Sequence, residues 1–116
     1  MGSRGQFNGV IYYGRLITHE EARNIEDRDG NYPISTNGLQ GSSGKKLVED
    51  LLDMPGLKVL MDYDEDTERI DTIIIWDINY AVTQGCNVAK LIEIIGHSHP
   101  DECDEYENDT IRLWWD

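Results

Sequence analysis

Cysteine, proline and phenylalanine are all scarce in this 116-residue chain, at two, three and one. Cys86 and Cys103 sit in separate segments without CxxC spacing, so neither a disulfide framework nor a paired zinc motif is available. A reducing compartment is therefore expected. No apolar run approaches the roughly 18 residues that a membrane-spanning helix requires, and the opening MGSRGQF lacks the apolar stretch of a secretory leader. Together these absences predict a cytoplasmic protein. The most telling shortage is of basic residues. Between Leu57 and Asp116 only Lys58, Arg69, Lys90 and Arg112 oppose 15 acids, a net −11, whereas residues 1–56 carry only −2.

Such one-sided charge is costly, because like charges held close repel and weaken the compact state. A domain of this size stays dispersed with far less. The excess is therefore read as a surface for something positive. The length suits one domain with a core large enough to need no metal or disulfide. Residues 1–8 are expected to form a flexible N-terminus, and 9–116 a single domain with a polar loop at about 29–43.

Turn signals and periodicity divide the domain. Gly9 to Ile17 is β-branched and aromatic, with Gly14 marking a bulge. Thr18-His19-Glu20-Glu21 has the form of a capping box, predicting a helix over about 19–27. The following polar stretch, Asp29 to Ser43, has room for a short strand around Tyr32–Ile34. Leu47, Val48, Leu51 and Leu52 share one helical face over about 44–54, and Pro55-Gly56 stops that helix. Val59, Met61 and Tyr63 alternate with Leu60 and Asp62, and Ile70, Thr72, Ile74 and Trp76 alternate with Asp71, Ile73 and Ile75. The polar connection between them predicts a β-hairpin. Asn87 caps a helix bearing Val88, Leu91, Ile92 and Ile95, closed by Gly96, with an earlier start near Tyr80 conceivable. His97 to Asp109 reads as a polar tail, and Thr110 to Trp115 as a last strand. The expected fold class is α+β: a mostly antiparallel sheet in the order β-α-α-β-β-α-β, with helices packed on one face.

Two acidic runs carry the functional expectation. The first holds Asp62, Asp64, Glu65, Asp66, Glu68 and Asp71, with Tyr63 among them. The second holds Asp101, Glu102, Asp104, Glu105, Glu107 and Asp109, with Tyr106 among them. Alternate residues of a strand lie about 6–7 Å apart on one face, and phosphates follow a nucleic-acid strand at about 3.4 Å of helix axis. Carboxylates so arranged can occupy the phosphate-binding lysines and arginines of another protein. Tyr63, Tyr106 and Trp115 are the expected aromatic anchors. The plainer reading of either run is a solvated turn.

Other chemistry fits less well. Asp62-x-Asp64-x-Asp66 opens like a calcium loop, but Thr67 stands where glycine is needed and Ile73 where the bidentate glutamate is needed. Gly44-Lys45 opens a helix as in a phosphate loop, but Leu39 replaces the first glycine and Lys46 the magnesium-binding hydroxyl. His97, His99 and Cys103 form the only metal-like grouping, with no fourth ligand obvious. Three histidines and two cysteines supply no nucleophile–base–orienter set. No catalytic residue, no metal site and no cofactor are expected.

In size, charge and clustering, with no motif, the chain resembles small phage- or plasmid-borne inhibitors that imitate nucleic acid, such as anti-CRISPR and anti-restriction proteins. That resemblance implies a basic partner that binds DNA or RNA, with no direct binding of nucleic acid or membrane. Alternatives are an immunity-type or regulatory protein neutralising a basic toxin or enzyme, a small metal-dependent enzyme using His97, His99 and Cys103, and a virion or scaffold component.

Overall fold

The computed structural model describes residues 6–7, 10–11, 14–24, 42–64, 69–106 and 109–115. The elements in chain order are β1 (Gln6–Phe7), β2 (Val10–Ile11), β3 (Arg15–Thr18), α1 (His19–Arg23), α2 (Ser42–Leu52), β4 (Lys58–Asp64), β5 (Arg69–Trp76), α3 (Ile78–Thr83), α4 (Val88–His97), β6 (Glu102–Tyr106) and β7 (Thr110–Trp114). β1 and β2 form a small antiparallel pair. The other five strands make one antiparallel sheet in the order β3-β4-β5-β7-β6. The α+β class with a largely antiparallel sheet is what the sequence predicts.

The helices arise where their caps lie. The Thr18 hydroxyl accepts from the Glu21 amide at 3.1 Å, and the Glu21 carboxylate accepts from the Thr18 amide at 3.1 Å, closing the expected capping box. α1 ends at Arg23, earlier than the predicted span. The Asn87 side chain accepts from the Lys90 amide at 3.2 Å and starts α4. Its buried stripe is Leu91, Ile94 and Ile95, while Ile92 is 61% exposed. The apolar face is thus rotated from the predicted Val88-Leu91-Ile92-Ile95. The stretch before α4 is a separate helix, α3, ended by Gly85 at φ 97°.

The core lies between the helices and one face of the sheet. Ile17, Met61, Ile73 and Leu113 form a row across four strands, with Val59 and Ile75 beside them. Leu47, Val48 and Leu51 of α2, Leu91 and Ile94 of α4, and Ala22, Ile78 and Ala81 of α1 and α3 close over that row. Each fully buried branched side chain contributes roughly 1.5–3 kcal/mol. The strict alternation predicted for β5 fails at one point. Asp62 pairs with Thr72 but Tyr63 pairs with Ile70, so Asp71 is an extra residue in a bulge. The bulge turns Ile70 to the same side as Ile73 and Ile75 and keeps the Asp71 carboxylate outside.

Two further differences concern polar segments. The tail after α4 contains β6, which a search for apolar alternation passes over because its residues are acidic. Residues 6–7, expected in a flexible start, form β1. The expected strand around Tyr32–Ile34 and most of the polar loop lie outside the described residues.

Candidate functional site

The register decides what becomes of the acids. Leu16, Asp62, Thr72, Trp114 and Glu102 lie in one row across the sheet face opposite the helices. Leu60, Ile74, Arg112 and Asp104 form the next row. Beyond the first row, at the same end of the sheet, come Asp64, Asp71 and Asp101. The Trp115 amide donates to the Asp71 carbonyl and the Asp101 amide to the Trp114 carbonyl, each at 2.9 Å. Part of the first run and the start of the second are thereby brought to one end of the sheet, while Asp109 belongs to the other end.

Asp62 is not on a surface. It is buried at 7% exposure, and its Oδ1 accepts from the Gly14 amide at 2.8 Å. Burial pushes its carboxyl up to about 6; the Gly14 hydrogen bond opposes this, and the charges of Asp71 and Asp64 add to it. Tyr63 is likewise buried, in the core. Neither is available to a partner in this structure. Asp64 is half-buried and Asp71 exposed, and Asp71 Oδ1 accepts from the Thr72 hydroxyl at 3.0 Å. Glu65, Asp66 and Glu68 lie outside the described residues.

The second run meets different chemistry. Glu102 and Asp104 project to one side of the edge strand β6, and Arg112 on β7 reaches both, at 3.2 and 3.0 Å. The guanidinium is the more buried partner, so one cation neutralises two half-exposed acids. Asp101 is exposed. Asp109 has φ 63°, and its carbonyl and carboxylate accept from the Ile78 and Asn79 amides at the start of α3. Asp77, the residue before that helix, supplies no side-chain cap, so Asp109 does so from another hairpin. Glu105 and Tyr106 belong to β6, but their side chains are outside the described set, as is Glu107.

Trp115, expected as an outward anchor, is in the core at 1% exposure, with its indole N–H donating to the Ser98 carbonyl at 2.9 Å. It shares the parity of Leu113, so it enters the helix-covered side. Trp114 takes the opposite face, half-buried. His97 and His99 are exposed, and Cys103 is an exposed residue of β6. Among the described residues no three histidine, cysteine or acidic side chains are grouped so as to hold a metal ion.

Three features of this surface escape reading by composition. Gly14 is the partner of Asp62; a lone glycine in a strand pattern was the signal. Arg112 is the clamp of the second run, and it is the one basic residue between Asp101 and Asp116. Lys58 lies 4.7 Å from the Trp76 ring centroid, 4.6 Å from that of Tyr80, and 2.8 Å from Asp77. Its place opposite Trp76 in the hairpin was the clue. A shallow groove between α2 and α4 is lined by Lys46, Asp50, Lys90, Glu93, Ile94 and His97, with cations and anions nearly balanced. No described helix is long and apolar enough to cross a membrane.

Compared with known protein families, curated proteins and solved structures, the chain has no match in any of the three.

Proposed function

We propose that this chain is an acidic binding protein that occupies the basic surface of a partner, one that itself handles DNA or RNA. The observation that carries the reading is the gathering of Asp64, Asp71, Asp101 and Glu102 at one end of the sheet, in a chain of net charge −13. Asp104 stands one step further along β6. The docking surface is narrower than the two acidic runs. Asp62, Tyr63 and Trp115 do not belong to it, and Asp109 is engaged by α3. Glu102 and Asp104, though bridged by Arg112, keep about half of their side-chain surface open, and this acidic rim steers association and competes with phosphates for lysine and arginine side chains. A phage-type inhibitor acting in a reducing, cytoplasmic interior fits that chemistry.

The test is to recover the bound protein from the native host, then titrate salt and nucleic acid into the purified complex. Affinity should fall steeply as salt is raised, and DNA or RNA should displace the protein. Charge reversal of Asp71, Asp101 and Glu102 together should abolish most of the binding. An affinity indifferent to salt would end the proposal. A stable ternary complex with nucleic acid would end the mimicry part and favour an immunity-type neutraliser.

A further inference from the structure

We propose that the corner where β3 leaves β4 is a pH-responsive latch: the buried Asp62 carboxyl holds the Gly14 amide, and the corner closes when that carboxyl is uncharged and loosens when it ionises beside Asp64 and Asp71.

The geometry is specific. Gly14 approaches β4 so closely that an added Cβ would overlap the Tyr63 carbonyl oxygen and Asp62 Oδ1. No side chain fits between the strands there, and Asp62, 7% exposed, has little contact with solvent while the corner is shut. The Asp62 neighbours across the sheet are Leu16 on β3 and Thr72 on β5, neither of which carries charge. Among the described residues, the charged groups near it are Asp64 on its own strand, Asp71 in the bulge of β5, and Arg15, exposed on β3 and paired across from Tyr63; Arg69 of β5 is paired across from Asp64. Asp64 and Asp71 repel a charge on Asp62. Among the described residues no cation forms an ion pair with it.

β3 is the element that can yield. Among the described strands it is an edge strand of four residues, paired in this sheet to β4 alone. A buried carboxylate without a counterion regains hydration most cheaply by parting that edge from its neighbour. The neutral acid needs no such relief: it keeps its carbonyl acceptor for Gly14 and loses the repulsion.

The energetics follow by linkage. The folded carboxyl titrates near 6 and the opened one near the ordinary 3.8, so acidification favours the closed corner. The closing equilibrium should strengthen roughly tenfold between pH 7 and pH 5, and approach about a hundredfold at lower pH.

The experiment uses the full chain. Carbon-detected NMR follows the Asp62 carboxyl through a pH titration, and amide hydrogen exchange follows Gly14, corrected for the intrinsic pH dependence. The expected result is an Asp62 midpoint near 6 and a roughly tenfold gain in Gly14 protection from pH 7 to pH 5. Asp62→Asn keeps an acceptor for Gly14 and should make that protection independent of pH. A midpoint below about 4.5, or Gly14 protection unchanged within about twofold in the wild type, would overturn the proposal. The wild-type measurements decide the matter even where the variant folds poorly.

Discussion

The two acidic runs are nearly interchangeable on paper, six carboxylates apiece with a tyrosine among them, yet the fold treats them in opposite ways. The second run is balanced: Arg112 spans Glu102 and Asp104, and Asp109 serves the amides at the start of α3. The first run is left tense: among the described residues the buried Asp62 carboxyl is held by the Gly14 amide and by no cation, beside Asp64 and Asp71. The difference comes from register. One residue of bulge at Asp71 sends Ile70 into the core and keeps Asp62 in line with Thr72, on the sheet's other face. A carboxylate's fate thus depends less on how many acids surround it than on which strand position it holds.

The sharpest way to break the contrast is at Gly14. Gly14→Ala should lower stability by about 3 kcal/mol, because the clash is with a backbone oxygen that cannot step aside. Chemical denaturation of the two proteins checks this. Asp62→Asn should act in the other direction. At pH 7 it removes a buried charge and should stabilise the chain by roughly 2–3 kcal/mol. The sign reverses the usual acid effect. With a folded value raised above 3.8 to about 6, the group's contribution is complete below 3.8 and is lost as pH rises through 6. The gain from Asp62→Asn should therefore vanish near pH 4. A global melting curve also carries His19, buried with no hydrogen-bond partner for its Nδ1, whose pKa burial pulls below 6.5. Its contribution is complete above 6.5 and is lost as pH falls from there, opposing Asp62. His19→Gln should remove that arm and leave a melting temperature that rises more steeply on acidification.

On the balanced side the effects are smaller. Asp109→Ala should cost about 1 kcal/mol through loss of the cap on α3. Asp109→Asn should cost much less, since asparagine tolerates the left-handed backbone and keeps an acceptor. Thermal melts that include Asp109→Gly, which tolerates the left-handed backbone but offers no side-chain acceptor, separate cap from backbone strain. Smallest is Arg112→Met, which keeps the aliphatic stem. It should cost about 0.5–1 kcal/mol at low ionic strength and less in salt, because both acids it serves are close to half exposed. If Arg112→Met proved as costly as Gly14→Ala, the second run would not be the relaxed one.

Much of the fold was legible because it follows from local rules. The Thr18-Glu21 box, the Asn87 cap and the hairpin of β4 and β5 each have a signature of neighbouring residues. What stayed hidden depends on pairing between distant segments. β6 is a strand because Cys103 and Asp104 meet Leu113 and Arg112, not because its own residues favour extension. The bulge at Asp71 looks like uninterrupted alternation until Tyr63 is paired with Ile70. Of the expected site, Asp71, Asp101, Glu102 and Asp104 are exposed, whereas Asp62, Tyr63 and Trp115 are buried. Composition counts charges but does not assign them to a face. Neighbouring residues of a strand point to opposite faces, so the indoles of Trp114 and Trp115 must diverge, and the contact with Ser98 identifies Trp115 as the inward one.

The two thiols open a practical route to these questions. Cys86 is shielded, and its burial pushes the thiol toward the unreactive protonated form, while Cys103 sits exposed in β6. A maleimide dye added to the native chain should therefore mark the outer strand alone, next to the carboxylates that Arg112 bridges. A single fluorophore there turns wild-type protein into its own reporter, dimming or brightening as a partner settles on that rim, with no engineered residue required.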